Sequence, residues 1–115
     1  MKQLVFTEPG TLEWQETPDP QPGPGQAVVR PLAVARCDLD IAMAAFGIFP
    51  GPLPVGHEIA GEPNQAKAGA AFGFGASGGG HGGGVAELLL VPDADHMLVP
   101  APESISDVAL GCDRR

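Results

Sequence analysis

Thirteen prolines and seventeen glycines punctuate the 115 residues, and their placement constrains the fold more than any other feature. Proline carries no amide hydrogen and glycine pays the largest ordering entropy, so neither prolongs a helix or a central strand. The prolines recur in turn contexts along the chain: Pro9-Gly10, Pro18-Asp19-Pro20, Pro22-Gly23-Pro24-Gly25, Pro50-Gly51-Pro52, Pro100 and Pro102. The glycines concentrate between Gly69 and Gly84. Short apolar runs separated by turn signals predict a β domain, with one flexible glycine-rich segment rather than general disorder.

Lys2 to Thr7 reads as a first strand, and Pro9-Gly10 turns it into a hairpin with a half-buried strand carrying Leu12 and Trp14. Gln26 to Ala35 is the strongest strand pattern, with Pro31 demanding an edge position or a bulge. Asp38 is expected to cap a helix over Leu39 to Ala45, ended by Gly47. Further strands are expected at Ile59 to Glu62, Val85 to Val91 and Met97 to Val99. Ser104 or Ser106 is expected to cap a last helical turn reaching Leu110.

Hydrophobic residues make up 43% of the chain, and 115 residues suffice for one domain with one core. No apolar run approaches the roughly 20 residues of a membrane helix, and no cleavable leader follows Met1-Lys2, so a cytoplasmic protein is expected. Six basic against fourteen acidic residues give a formal charge of −8, which argues against nucleic acid or an anionic membrane as partner. Aromatic residues are 5% of the chain, too few for a base-stacking platform.

Chemistry is concentrated in two places. Cys37-Asp38-Leu39-Asp40 precedes Gly56-His57-Glu58 by about twenty residues. A thiolate and an imidazole are ligands a catalytic zinc takes from protein. Asp40 and Glu58 stand nearby as carboxylates able to orient or replace a ligand. Gly73-Phe74-Gly75-Ala76-Ser77-Gly78 fits the dinucleotide pattern G-x-G-x-x-G. Glycine follows it where a helix N-terminus is required, so it reads as a loop, not a phosphate cradle.

The order and spacing of MKQLVFT, Pro18-Asp19-Pro20, Pro22-Gly23-Pro24-Gly25, Val28-Val29-Arg30, Cys37-Asp38-Leu39-Asp40, Leu53-Pro54-Val55-Gly56-His57-Glu58, Gly83 to Glu87 and Val91 to Asp95 resemble one family. It is the zinc-dependent alcohol dehydrogenases of the medium-chain dehydrogenase/reductase family, in their N-terminal catalytic domain. The resemblance implies a single GroES-like domain over 1–115: mainly β, a partly open barrel with one or two short helices. It also implies zinc held by Cys37, His57 and a third ligand at Gly111-Cys112-Asp113. Thiolate chemistry favours Cys112, with Asp113 as competitor. Glu58 and Asp40 are the candidate catalytic residues. Asp40 is expected to accept a hydrogen bond from the His57 ring, and Glu58 to reach the open metal position.

Three departures from the family pattern shape the functional expectation. Residues 63–84 form a shortened glycine-rich loop where relatives carry a lobe with four cysteines around a structural zinc. Leu39 stands where many members carry a proton-relaying hydroxyl. No Rossmann domain follows Cys112, so NAD(P), which the family implies, has no binding domain in these residues. The expected function is therefore a zinc-binding, alcohol dehydrogenase-like catalytic domain that does not complete NAD(P)-dependent oxidoreduction alone. A separate Rossmann-domain partner would complete it. The alternatives are a structural module that self-associates as a homo-oligomer through exposed apolar surface, or a decayed gene fragment without activity. His81 and His96 are expected to be solvated and without a role.

Overall fold

A computed structural model describes residues 1–59, 72–74, 80–98, 100 and 102–106. The first strand, β1 (Lys2–Glu8), turns at Gly10 and pairs antiparallel with β2 (Thr11–Glu16), Leu4 facing Trp14 across the ladder. Gly10 sits at φ +83°, a left-handed geometry that glycine adopts without a Cβ clash. Leu12 and Trp14 are 45% and 63% exposed, more than the half-buried strand expected of them. In the sheet order β2-β1-β5, with β5 at Leu53–Pro54, β2 is one of the two edge strands.

The run from Gln26 to Ala35 is not one strand. It divides into β3 (Ala27–Val29) and β4 (Val34–Ala35), with Pro31 in the break. The chain changes sheets there: β3 pairs with β7 (Leu89–Val91), whereas β4 pairs with β6 (Glu58–Ile59). A residue that cannot donate to a ladder marks the crossing between two ladders. Between them, α1 (Asp38–Phe46) contains neither Gly nor Pro, buries Met43, and ends at Gly47 in the left-handed conformation. Cys37, not Asp38, is its N-cap.

Two other elements differ from expectation. Val85 to Val91 is a strand only at Leu89–Val91; upstream it touches β1 by a single bridge, Gln3 to Ala86. Met97 closes a helical turn, α2 (Ala94–Met97), instead of opening a strand. The Asp93 carbonyl accepts the Met97 N–H at 2.8 Å, and Met97 is fully buried. The turn residues Pro92-Asp93 start that helix, and Leu98, which follows it, is extended and in a β-bridge. Residues 107–110, where a last helical turn was expected, and 60–62, where the strand from Ile59 was expected to continue, lie outside the described residues.

The core has two parts. Val5, Phe6 and Leu53 are buried where β5 (Leu53–Pro54) lies along β1. Phe72, Leu89, Val91 and Met97 form a cluster backed by Val29, Val34 and Leu98. Fully burying each such side chain contributes roughly 1.5–3 kcal/mol. A three-way junction ties the parts together. The Leu4 N–H donates to the Val85 carbonyl, the Val55 N–H to the Leu4 carbonyl, and the Val85 N–H to the Val55 carbonyl, at 2.8, 3.1 and 3.1 Å.

The glycine-rich segment, expected to be flexible, is closely packed in its described residues 72–74 and 82–84, while Gly80 is exposed. The Gly84 N–H donates to the Gly56 carbonyl, and the Gly73 N–H to the Gly82 carbonyl. A Cβ at Gly73 would lie 2.9 Å from the Gly56 backbone, and one at Gly83 would overlap the Val55 carbonyl. These glycines allow backbone to rest on backbone around Gly56. Gly83→Ala is therefore expected to cost about 3 kcal/mol, against about 1 kcal/mol for Gly10→Ala, which has open space but left-handed φ. Urea midpoints of the two variants check this ordering, and equal losses would contradict it.

Candidate metal centre

Antiparallel pairing of β4 with β6 sets Ala35 opposite Glu58. Cys37 follows β4 by two residues and His57 immediately precedes β6, so the two chemical residues emerge at the same end of that ladder. The backbone enters this region through Gly56 at φ +99°, which is tolerated because it is glycine. Cys37 Sγ and His57 Nε2 are 3.7 Å apart.

Asp40 occupies the third position of α1, and each of its oxygens is engaged. Oδ2 accepts the Cys37 backbone N–H at 2.8 Å, the reciprocal arm of a capping box. Oδ1 lies 3.1 Å from His57 Nδ1. The side chains of His57 and Asp40 are 14% and 15% exposed. Burial pushes the Asp40 carboxyl up, but hydrogen bonds from the His57 ring and the Cys37 N–H, with attraction to His57, outweigh it. The net result holds Asp40 below the usual carboxylate range.

An ionised Asp40 only accepts, so Nδ1 carries a ring proton, and in the neutral form of the ring Nε2 is the atom that presents a lone pair toward Cys37. Two ligands on one tetrahedral zinc, at about 2.3 Å for sulfur and 2.0–2.1 Å for nitrogen, stand about 3.6 Å from each other. The observed 3.7 Å fits that spacing. Donor atoms of Cys37, Asp40 and His57 all lie within 4.8 Å of one another, but Asp40 meets the nitrogen facing away from the sulfur. The geometry gives it the role of holding the other two.

An aromatic wall completes the described surroundings. The Phe74 ring lies 5.1 Å from the His57 ring, tilted by 45°, and packs edge-on against Phe49 at 5.5 Å. Sequence reasoning missed Phe74 because it read the surrounding glycines as a loop. The signal was the alternation Phe72-Gly73-Phe74: Phe72 enters the core, Gly73 rests on Gly56, and Phe74 faces the imidazole.

Cys112 and Asp113 lie outside the described residues, as does the side chain of Glu58. His81 is half-buried, its ring 6.1 Å from that of Phe72, not solvated as expected. His96 is exposed and pairs with Asp93 at 2.9 Å. Among the described residues, no helix is long and apolar enough to cross a membrane.

No family model matches the chain. Over 68 residues it is 40% identical to the NADP-dependent isopropanol dehydrogenase of Thermoanaerobacter brockii, covering 54% of this chain and 18% of that protein. Alcohol dehydrogenase TADH from Thermus sp. ATN1 superposes with a TM-score of 0.77 at 20% identity, over 93% of this chain and 41% of that one. A zinc-dependent alcohol dehydrogenase 2 from Streptococcus pneumonia superposes at 0.69 with 21% identity, over 96% of this chain and 41% of that one. The chain spans less than half the length of each of these proteins. Over part of its length it is similar in sequence to an NADP-dependent isopropanol dehydrogenase, and its fold is the mainly β, GroES-like one of the alcohol dehydrogenase structures it superposes on.

Asp40 also links stability to pH. Its folded-state pKa is depressed, so its contribution is fully present above the unfolded value of about 4 and is lost as pH falls through the lower folded value. Urea titrations should show Asp40→Asn destabilised by a constant margin from pH 7 down to about pH 5. That margin should narrow below about pH 4. A margin unchanged into the acid limb would contradict the linkage.

Proposed function

We propose that this chain is the metal-binding catalytic domain of an alcohol dehydrogenase-type oxidoreductase, with Cys37 Sγ and His57 Nε2 as zinc ligands. The observation that carries the reading is their 3.7 Å separation, with Asp40 bonded to both residues. Cys112 is the proposed third ligand and Asp113 its competitor, thiolate being the stronger donor for zinc. Glu58, adjacent to His57 in sequence, is proposed as the carboxylate serving the remaining position.

Zinc, when bound, supplies Lewis acidity toward an alcohol or carbonyl oxygen. The chain's own residues do the rest. Asp40 accepts the hydrogen bond from Nδ1 of His57, which fixes the tautomer that offers Nε2 as the ligand atom and raises its basicity. The Cys37 N–H fixes the same carboxylate from the other side, so helix, thiolate and imidazole keep one relative orientation. Phe49 and Phe74 exclude water from one side of the imidazole, which strengthens local electrostatics. Leu39 offers no hydroxyl for proton relay, so the proton leaves by another route than the one common in the family. In this reading NAD(P) binding and hydride transfer fall to a separate nucleotide-binding domain.

A second reading, self-association as a structural module, draws on Trp14, Phe46 and Ile48, which are 63%, 76% and 52% exposed. Sedimentation at high protein concentration separates it from the first, since a strict monomer rejects it.

Elemental analysis with zinc competition tests the metal reading. Purified protein should hold about one zinc, and Cys37→Ser or His57→Ala should reduce occupancy to background. Asp40→Asn should keep the site but weaken affinity about 10- to 100-fold. Loss of zinc in Cys112→Ser but not Asp113→Asn selects the third ligand. Metal retained by both Cys37→Ser and His57→Ala would reject the assignment.

A further inference from the structure

Beside the metal centre lies a cavity of about 450 Å³ that the proposed chemistry does not use. The hairpin contributes Leu4 and Leu12, α1 contributes Ile41 and Ala44, and Val34 of β4 and Val55, just after β5, close it. Its size falls in the range of small-molecule sites, roughly 300–1,000 Å³, and its lining has their usual character, apolar with few charges. Leu12 and Ile41 are left 45% and 47% exposed.

Two charged residues border the cavity, Asp40 and Arg36. Both Asp40 oxygens are engaged by Cys37 and His57. Arg36 is exposed, and among the described residues no ion pair or hydrogen bond reaches its guanidinium. An apolar chamber with an uncommitted arginine among its lining residues matches a ligand with an aliphatic body and a carboxylate head.

We propose that this cavity binds a medium-chain aliphatic carboxylate, its tail between the β1–β2 hairpin and α1 and its carboxylate on Arg36. The cavity shares Asp40 with the metal centre, but neither Cys37 nor His57 lines it, so the proposal does not rest on zinc. Each further buried methylene should tighten binding about fourfold until the cavity is filled. The guanidinium contact should contribute about tenfold or more.

Isothermal titration of the full chain with decanoate, octanoate and decanol, repeated with EDTA, tests it. The expected result is one decanoate per chain, octanoate about tenfold weaker or more, and identical isotherms with and without EDTA. Arg36→Gln, a surface change that leaves the fold intact, should weaken decanoate about tenfold and leave decanol unchanged. Ala44→Phe, which fills the cavity, should weaken both. Absence of decanoate binding, or an Arg36→Gln variant that binds decanoate as wild type does, would overturn the proposal. So would a self-associated wild type from which decanoate is excluded. Zinc loss in Cys37→Ser with decanoate binding intact would leave both readings standing as separate properties.

Discussion

The structure around the candidate centre depends on one carboxylate. Asp40 receives the amide of the helix-capping Cys37 on one oxygen and the imidazole of His57 on the other. Residues twenty positions apart are thereby held by a single rigid group. A helix start, a strand start and a side-chain tautomer become one local unit. Without that bridge, the capping amide would lose its acceptor and the imidazole its preferred proton position. The cost of burying the carboxylate is offset by both hydrogen bonds, which explains why Asp40 stays ionised in a mostly buried place.

His57 reaches Asp40 only because the backbone before it is packed without side chains. Gly56, Gly73, Gly83 and Gly84 meet at distances that leave no room for a Cβ at the first three. The Leu4–Val55–Val85 junction fixes the same segment from the hairpin side. The glycine-rich composition thus contributes close approach in its described part. Phe74, carried by that segment, supplies apolar cover to the imidazole.

The legible parts of this fold were those with strong local chemistry. The hairpin at Pro9-Gly10 and the helix ending at Gly47 followed from turn residues and helix-forming composition, whereas the pairing of Cys37 with His57 and Asp40 followed from the family resemblance, the spacing alone being a weak signal. Pro31 was recognised as a disruption, but its meaning, a switch between sheets, depends on partners β6 and β7 that lie far away in sequence. The cap fell on Cys37 instead of Asp38 because the reach-back of Asp40 sets the boundary, a tertiary and local effect combined. Met97 was misread as a strand residue because periodicity does not decide a four-residue element. Packing of Gly73 against Gly56 was invisible because glycine carries no pattern that distinguishes freedom from close contact.

Zinc K-edge X-ray absorption on the purified protein tests the central claim most directly, because it reads donor atoms instead of occupancy. A sulfur shell near 2.3 Å together with nitrogen near 2.0 Å, the sulfur count falling in Cys37→Ser, is the expected spectrum. A shell of oxygen and nitrogen alone, unchanged by that substitution, would contradict the account.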